Sequence, residues 1–120
     1  MTALVDTSVI AGGGNALEGV DEPWVLSVVT IGELHARVLL ARDDATRGHR
    51  LALLADAIER APVIPLEHHV ATSYAQLRAA SGRRPSNDLW IAATAVAHEL
   101  VLLTADERRA ALPGVDARLV

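Results

Sequence analysis

The stretch Pro85–Glu99, PSNDLWIAATAVAHE, decides how the rest of the chain is read. Pro85 cannot continue a preceding helix, and Ser86 is a good N-cap because its hydroxyl can accept from the free N–H groups of a first turn. Leu89, Ile91, Ala92, Ala95 and Val96 are apolar with small residues between them, as in a helix pressed closely onto a sheet. Asp88 falls at the open end of this helix. It either complements the macrodipole, a contribution of about 0.3–1 kcal/mol, or serves a ligand. The choice turns on where the other acids lie.

On either side of this helix the pattern alternates between strand and helix. Downstream, Val101–Thr104 reads as a strand, Asp106 as the cap of a short helix through Ala111, and Ala117–Val120 as a last strand after the Pro113-Gly114 turn. Upstream, His68–Ser81 reads as a helix stopped by Gly82, with Arg83 and Arg84 in the loop that follows. At the start, TALV (Thr2–Val5) is a buried parallel strand halted by an Asp6-Thr7-Ser8 turn, and Gly12–Asn15 is a flexible loop. Trp24–Ser27 is the second strand. A helix over Val28–Ala41 follows, with Ile31, Leu34, Val38 and Leu39 on one side and Glu33 about a turn from its start. Asp43 or Asp44 caps a third helix to Arg60, with Leu51, Leu54, Ala55 and Ile58 as its buried stripe, and Pro62–Leu66 is a short strand. Such alternation predicts an α/β domain over residues 1–120, with a parallel sheet covered on both faces.

Composition narrows the function. Fifty-one per cent of the 120 residues are apolar, enough for a core, and with no Phe that core is Leu, Val, Ile and Ala. No apolar run approaches the eighteen or so residues of a membrane span, and the N-terminus has no basic leader, so a cytoplasmic protein is expected. There is no Cys, hence neither a disulfide nor a thiolate zinc site. All eleven basic residues are Arg. Without Lys, P-loop and Schiff-base chemistry are excluded. A net charge of −4 argues against a protein that coats nucleic acid, but not against an enzyme that holds a cation and grips phosphate with a local arginine patch.

In open parallel sheets ligands bind beyond the carboxyl ends of the strands. Asp6 follows the first strand, Asp106 follows the fourth, Asp88 opens the helix before that strand, and Glu33 lies on the helix after the second. If the first and fourth strands are neighbours, the four acids share one edge. Each has an alternative use: Asp6 and Asp106 as caps, Asp88 as a dipole partner, and Glu33 in a capping box with Thr30. Together they call for a cation, because two unit charges 4 Å apart cost on the order of 4 kcal/mol at an effective dielectric of 20. Hard oxygen ligands without Cys or clustered His point to Mg²⁺ or Mn²⁺, a set suited to phosphodiester hydrolysis.

The segments LVDTSVI, SVVTIGELHARV, SNDLWIAATAVAHE and LLTADER, in this order, resemble the PIN-domain ribonucleases, specifically the VapC-type toxins of bacterial toxin–antitoxin pairs. The resemblance covers nearly the whole chain. It implies a three-layer α/β/α fold, Mg²⁺- or Mn²⁺-dependent endoribonuclease activity on RNA, a homodimer and a cognate antitoxin. It further implies an acidic quartet of Asp6, Glu33, Asp88 and Asp106. Thr104 matches the threonine that orients the last acid or a water, and Ser8 stands where the family often has Asn or Ser. Two departures stand out. The family often ends the helix after its third acid with Gly or Asn, where His98-Glu99-Leu100 stands here, and often has an aromatic residue after its fourth acid, where Arg108-Arg109-Ala110 stands.

On this reading Asp6, Asp88 and Asp106 hold the metal, and Glu33 positions or deprotonates the attacking water or binds a second ion. Arg83 and Arg84, with Ser8, are the candidates for contacting RNA; a solvated loop pair is the plain alternative for the two arginines. With three aromatic residues in the chain, base stacking contributes little. Two rivals remain: a non-catalytic binding module presenting the Val28–Ala41 helix, and an acid-cluster phosphatase. The second is disfavoured because Ser8 stands where an aspartyl-nucleophile phosphatase needs its second Asp.

Overall fold

The computed structural model describes Met1–Val120. β1 (Ala3–Val5) pairs in parallel on both sides, with β2 (Trp24–Ser27) and with β4 (Val101–Thr104). β3 (Val63–Ile64) and β5 (Ala117–Leu119) extend the sheet at its two edges, giving the order β3-β2-β1-β4-β5 with every pairing parallel. β1 and β4 are buried at every position, as the central strands of a sheet covered on both faces must be. β3 is shorter than the Pro62–Leu66 run, because Pro62 and Pro65 have no N–H to donate and the ladder cannot extend through them.

The strand alternation sorts side chains to two layers. Ala3, Val5 and Leu103 pack with α1 (Thr7–Ala11), α2 (Val28–Leu39) and α3 (Asp44–Arg60) on one face. Leu4 and Leu102 meet Ile91 and Ala95 of α5 (Ser86–Ala97) on the other. α4 (His68–Ser81) covers the outer side of α5 through Val70, Leu77, Leu89, Ala92 and Ala93, and Tyr74 stacks on Trp90 with centroids 3.9 Å apart. α5 is thus clamped between sheet and helix, which is why its sequence is small and apolar nearly all round. The three-layer α/β/α expectation is borne out. No helix is long and apolar enough to cross a membrane.

Several local expectations are corrected. Asp6-Thr7-Ser8 is not a turn; α1 starts directly at Thr7, and its five residues are too few to show a period. A short 3₁₀ helix, Asn15–Gly19, follows the glycine loop. Ser86 is the first helical residue of α5, not its cap, and its hydroxyl accepts from Arg78 at 3.2 Å. On α3 the buried residues are Leu54 and Ala57, while Leu51 and Ile58 are 52% and 46% exposed. Residues seven apart share a face, so Leu51 and Ile58 turn outward together, and periodicity alone could not say which apolar face meets α1 and α2. Leu39 is likewise exposed in the last turn of α2, and Thr30 takes an interior place. Glu99, where the resembled family often has Gly or Asn, adopts a left-handed φ of 55°, so the backbone demand persists although the residue that would meet it easily is absent.

Candidate active site

The strand order reverses between β1 and β4, and this is where an open parallel sheet forms its ligand crevice. Asp6 lies there as the first residue beyond β1, its N–H donating to Leu103 O at 2.8 Å. Its side chain is fully buried. A buried carboxylate must be met by donors and a counter-charge, and this one is. Oδ2 accepts from Ser8 Oγ at 2.6 Å and from Thr104 Oγ1 at 2.8 Å, and Arg109 Nη1 lies 2.6 Å from Oδ1 and 2.7 Å from Oδ2. Asp6 holds the N-cap position of α1 yet makes no capping bond there, so the cap alternative fails for it.

The same two hydroxyls shape the chain as it leaves β4. Ser8 Oγ accepts from Ala105 N at 3.0 Å, and Thr104 Oγ1 accepts from Asp106 N at 3.1 Å. Donating inward and accepting outward, Ser8 and Thr104 tie the loop that carries Asp106 to the carboxylate of Asp6. Asp106 also caps α6 (Glu107–Ala110): its Oδ1 accepts from Arg108 N at 2.9 Å. That backbone bond, opposed by slight burial and aided by the charges of Arg108 and Arg109, holds its carboxyl below the ordinary value. Here the capping alternative and convergence on the crevice both apply.

Asp88 stands in the first turn of α5 and accepts from Arg109 Nη2 at 2.5 Å. Asp6, Asp88 and Asp106 therefore gather around one guanidinium; Arg109 Nε lies 4.0 Å from Asp106 Oδ2 and is buried with no hydrogen-bond partner. Burial opposes the charged form of Arg109, but its hydrogen bonds and charge attraction to Asp6 and Asp88 outweigh this and raise its pKa further. Sequence reasoning missed Arg109. Its signal was the cation three residues after Asp106, on the same side of a helical turn, where the resembled family often has an aromatic residue.

Glu33 is set apart from the three aspartates. The capping box with Thr30 does not form: Ser27 caps α2 by accepting from Val29 N, and Glu33 Oε1 instead accepts from Thr7 Oγ1 at 2.7 Å. Glu33 faces the same groove as Ser8, Asp106 and Arg109, an opening of about 770 Å³ floored by small residues of α1 and α2 such as Ala11 and Gly32. A second opening, about 380 Å³, is lined by Asp88 together with Ser81, Arg83, Arg84, Pro85 and Arg108. Arg84 donates to Arg108 O at 3.2 Å, and Arg78 fixes the loop by donating to Gly82 O and Arg84 O at 3.0 and 2.8 Å. Arg83 is exposed. No histidine joins the cluster.

The donor set has the chemistry of a hard-cation site: aspartate oxygens with hydroxyls behind them, and no sulfur or imidazole. As the chain stands, no three such side chains converge as a metal cage, and the guanidinium of Arg109 lies among the aspartates. The residues fit the ion in kind, and a cation of the protein's own already sits between two of them.

Residues 3–115 match the family model of the PIN domain. Ribonuclease VapC4 of Mycobacterium tuberculosis is 40% identical over 95% of this chain and 93% of its own length. Ribonuclease VapC5 of the same organism is 37% identical over 92% and 87%. Among solved structures, that of VapBC-5 from Mycobacterium tuberculosis, a member of the VapBC family of toxin–antitoxin systems, superposes with a TM-score of 0.80 at 35% identity, covering 99% of this chain and 97% of that one. With its acids at the carboxyl edge of a β3-β2-β1-β4-β5 sheet and relatives matched over nearly their full length, the chain belongs to the PIN-domain family, among its VapC members.

Proposed function

We propose that the protein is a divalent-metal-dependent endoribonuclease that hydrolyses RNA phosphodiester bonds as the toxin of a toxin–antitoxin pair. The observation that carries the reading is the convergence of Asp6, Asp88 and Asp106 beyond β1 and β4, in a chain whose relatives at 37–40% identity are named ribonucleases. Those three carboxylates would hold Mg²⁺ or Mn²⁺. When bound, such an ion lowers the pKa of a water and neutralises charge developing on the phosphate. Glu33, which lines the groove and accepts from Thr7, would take the proton of the attacking water. Ser8 and Thr104 hold the Asp6 carboxylate in one orientation, and Ser8 also edges the groove that the RNA would enter. Arg83, Arg84 and Arg108, around the adjoining opening, supply positive charge for the neighbouring backbone phosphates.

The VapBC-5 structure, a member of a toxin–antitoxin family, favours a cognate antitoxin as partner, and the family resemblance favours a homodimer in the cytoplasm. The experiment is cleavage of an end-labelled mixed RNA pool with Mg²⁺, with Mn²⁺ and with EDTA, alongside Asp6→Asn and Asp88→Asn variants shown to fold. Metal-dependent cuts, lost in both variants, are the expected result. No cleavage of any RNA, with no divalent-induced rise in Tm, would leave a non-catalytic PIN-fold binding module.

A further inference from the structure

Three carboxylates, those of Asp6, Asp88 and Asp106, gather at the carboxyl edge; Arg108 approaches only Asp106, whereas Arg109 is within 4.0 Å of all three. Its position is unusual. Nη1 straddles both oxygens of the fully buried Asp6, Nη2 reaches Asp88, and Nε is buried without a hydrogen-bond partner. A purely structural guanidinium would be expected to place all its donors; this one leaves Nε unpaired, 4.0 Å from Asp106 Oδ2. The side chain thus bridges two of the carboxylates that would ligate a metal, in the space between them. Arg109 lies on a helix of only four residues and at the wall of the open groove. A helix that short owes little to its own hydrogen bonds, so the side chain can leave without disrupting the sheet.

We propose that Arg109 is a built-in cation that occupies the metal position of the resting protein and is displaced into the groove when a divalent ion binds. The inference rests on the metal-dependent reading above and deepens it. Arg109 keeps Asp6 neutralised while no metal is present, which stabilises the free toxin. It also lowers the apparent metal affinity, because the binding-competent arrangement is only a fraction of the population. A dication outcompetes it by bringing one more charge into the same carboxylates.

Two measurements test this without RNA cleavage. Mn²⁺ binding by electron paramagnetic resonance, on metal-stripped protein, compares the wild type with Arg109→Met; the variant is expected to bind about tenfold or more tightly, since nothing must leave. Should Arg109→Met fold too poorly to titrate, the wild type alone decides. Its Arg109 Nε–H resonance, in slow exchange with solvent in EDTA, is expected to shift and to exchange fast when Mg²⁺ is added. An unchanged Nε–H in saturating Mg²⁺, or equal Mn²⁺ affinity in the two proteins, would make Arg109 a fixed counter-ion and overturn the displacement. If neither protein binds Mn²⁺, the metal-dependent reading fails and the displacement with it.

Discussion

The two edges of the sheet are built on opposite principles. Along their length β1 and β4 are an apolar wall: Leu4 and Leu102 meet Ile91 and Ala95 in one shared cluster. One or two residues later, at the carboxyl edge, the same strands present Asp6 and Thr104, both fully buried, and the compensation for the buried charge passes largely through one side chain, Arg109. At the opposite edge, where α5 hands over to β4, the chain makes a left-handed turn at Glu99. Apolar burial is spread over many contacts and tolerant, whereas a buried charge is concentrated and brittle. The proposed site lies where the fold is brittle.

The sharpest way to break that comparison is to remove the counter-charge. Arg109→Met strands the Asp6 carboxylate, and losing one partner of a buried pair costs about 3–5 kcal/mol. By calorimetry in EDTA its Tm should fall by ten degrees or more, roughly 4 °C for each kcal/mol, and added Mg²⁺ should restore most of the loss. A core variant should show no such rescue. Leu102→Ala, which empties space between sheet and α5, is expected to cost about 2–5 kcal/mol with or without metal. Equal metal rescue of both variants would show that the crevice carries no special charge.

A finer test lies at Thr104, whose hydroxyl donates to Asp6 and accepts from the Asp106 N–H. Thr104→Val keeps the shape and removes both bonds, for an expected loss of about 1–3 kcal/mol by urea titration, and RNA cleavage should fall because Asp106 is no longer tied to Asp6. The smallest effect has the opposite sign and belongs to the opposite edge. Glu99→Gly relieves the left-handed strain and should stabilise the protein by about 1 kcal/mol, with cleavage unchanged. A loss of stability there would mean that the Glu99 side chain makes a contribution larger than its backbone strain.

Much of this was legible in the residues. β2, β4 and α4 fall at their expected bounds, because Pro23 before β2 and Gly82 after α4 punctuate the chain and the runs between them are strongly patterned. The carboxylates were found because acids that follow strands in an alternating βα chain have one edge to occupy. What could not be read has specific reasons. α1 is too short to carry a period. The stripe on α3 was misplaced because Leu51 and Leu54 are equally apolar in sequence, and only packing against α1 and α2 distinguishes them.

The sequence by itself determined the parallel α/β architecture, the carboxyl-edge position of Asp6 and Asp106, and the hard-oxygen character of the site, because these follow from local periodicity and side-chain chemistry. The tertiary structure alone decided what each acid touches. Glu33 turned from Thr30 to Thr7, Ser8 and Thr104 became the supports of Asp6, and Arg109 entered the cluster from 103 residues away along the chain. Such contacts depend on distances between strands that are remote in sequence. A buried charge draws its partner from whatever the fold brings near, and no local pattern records which residue that is.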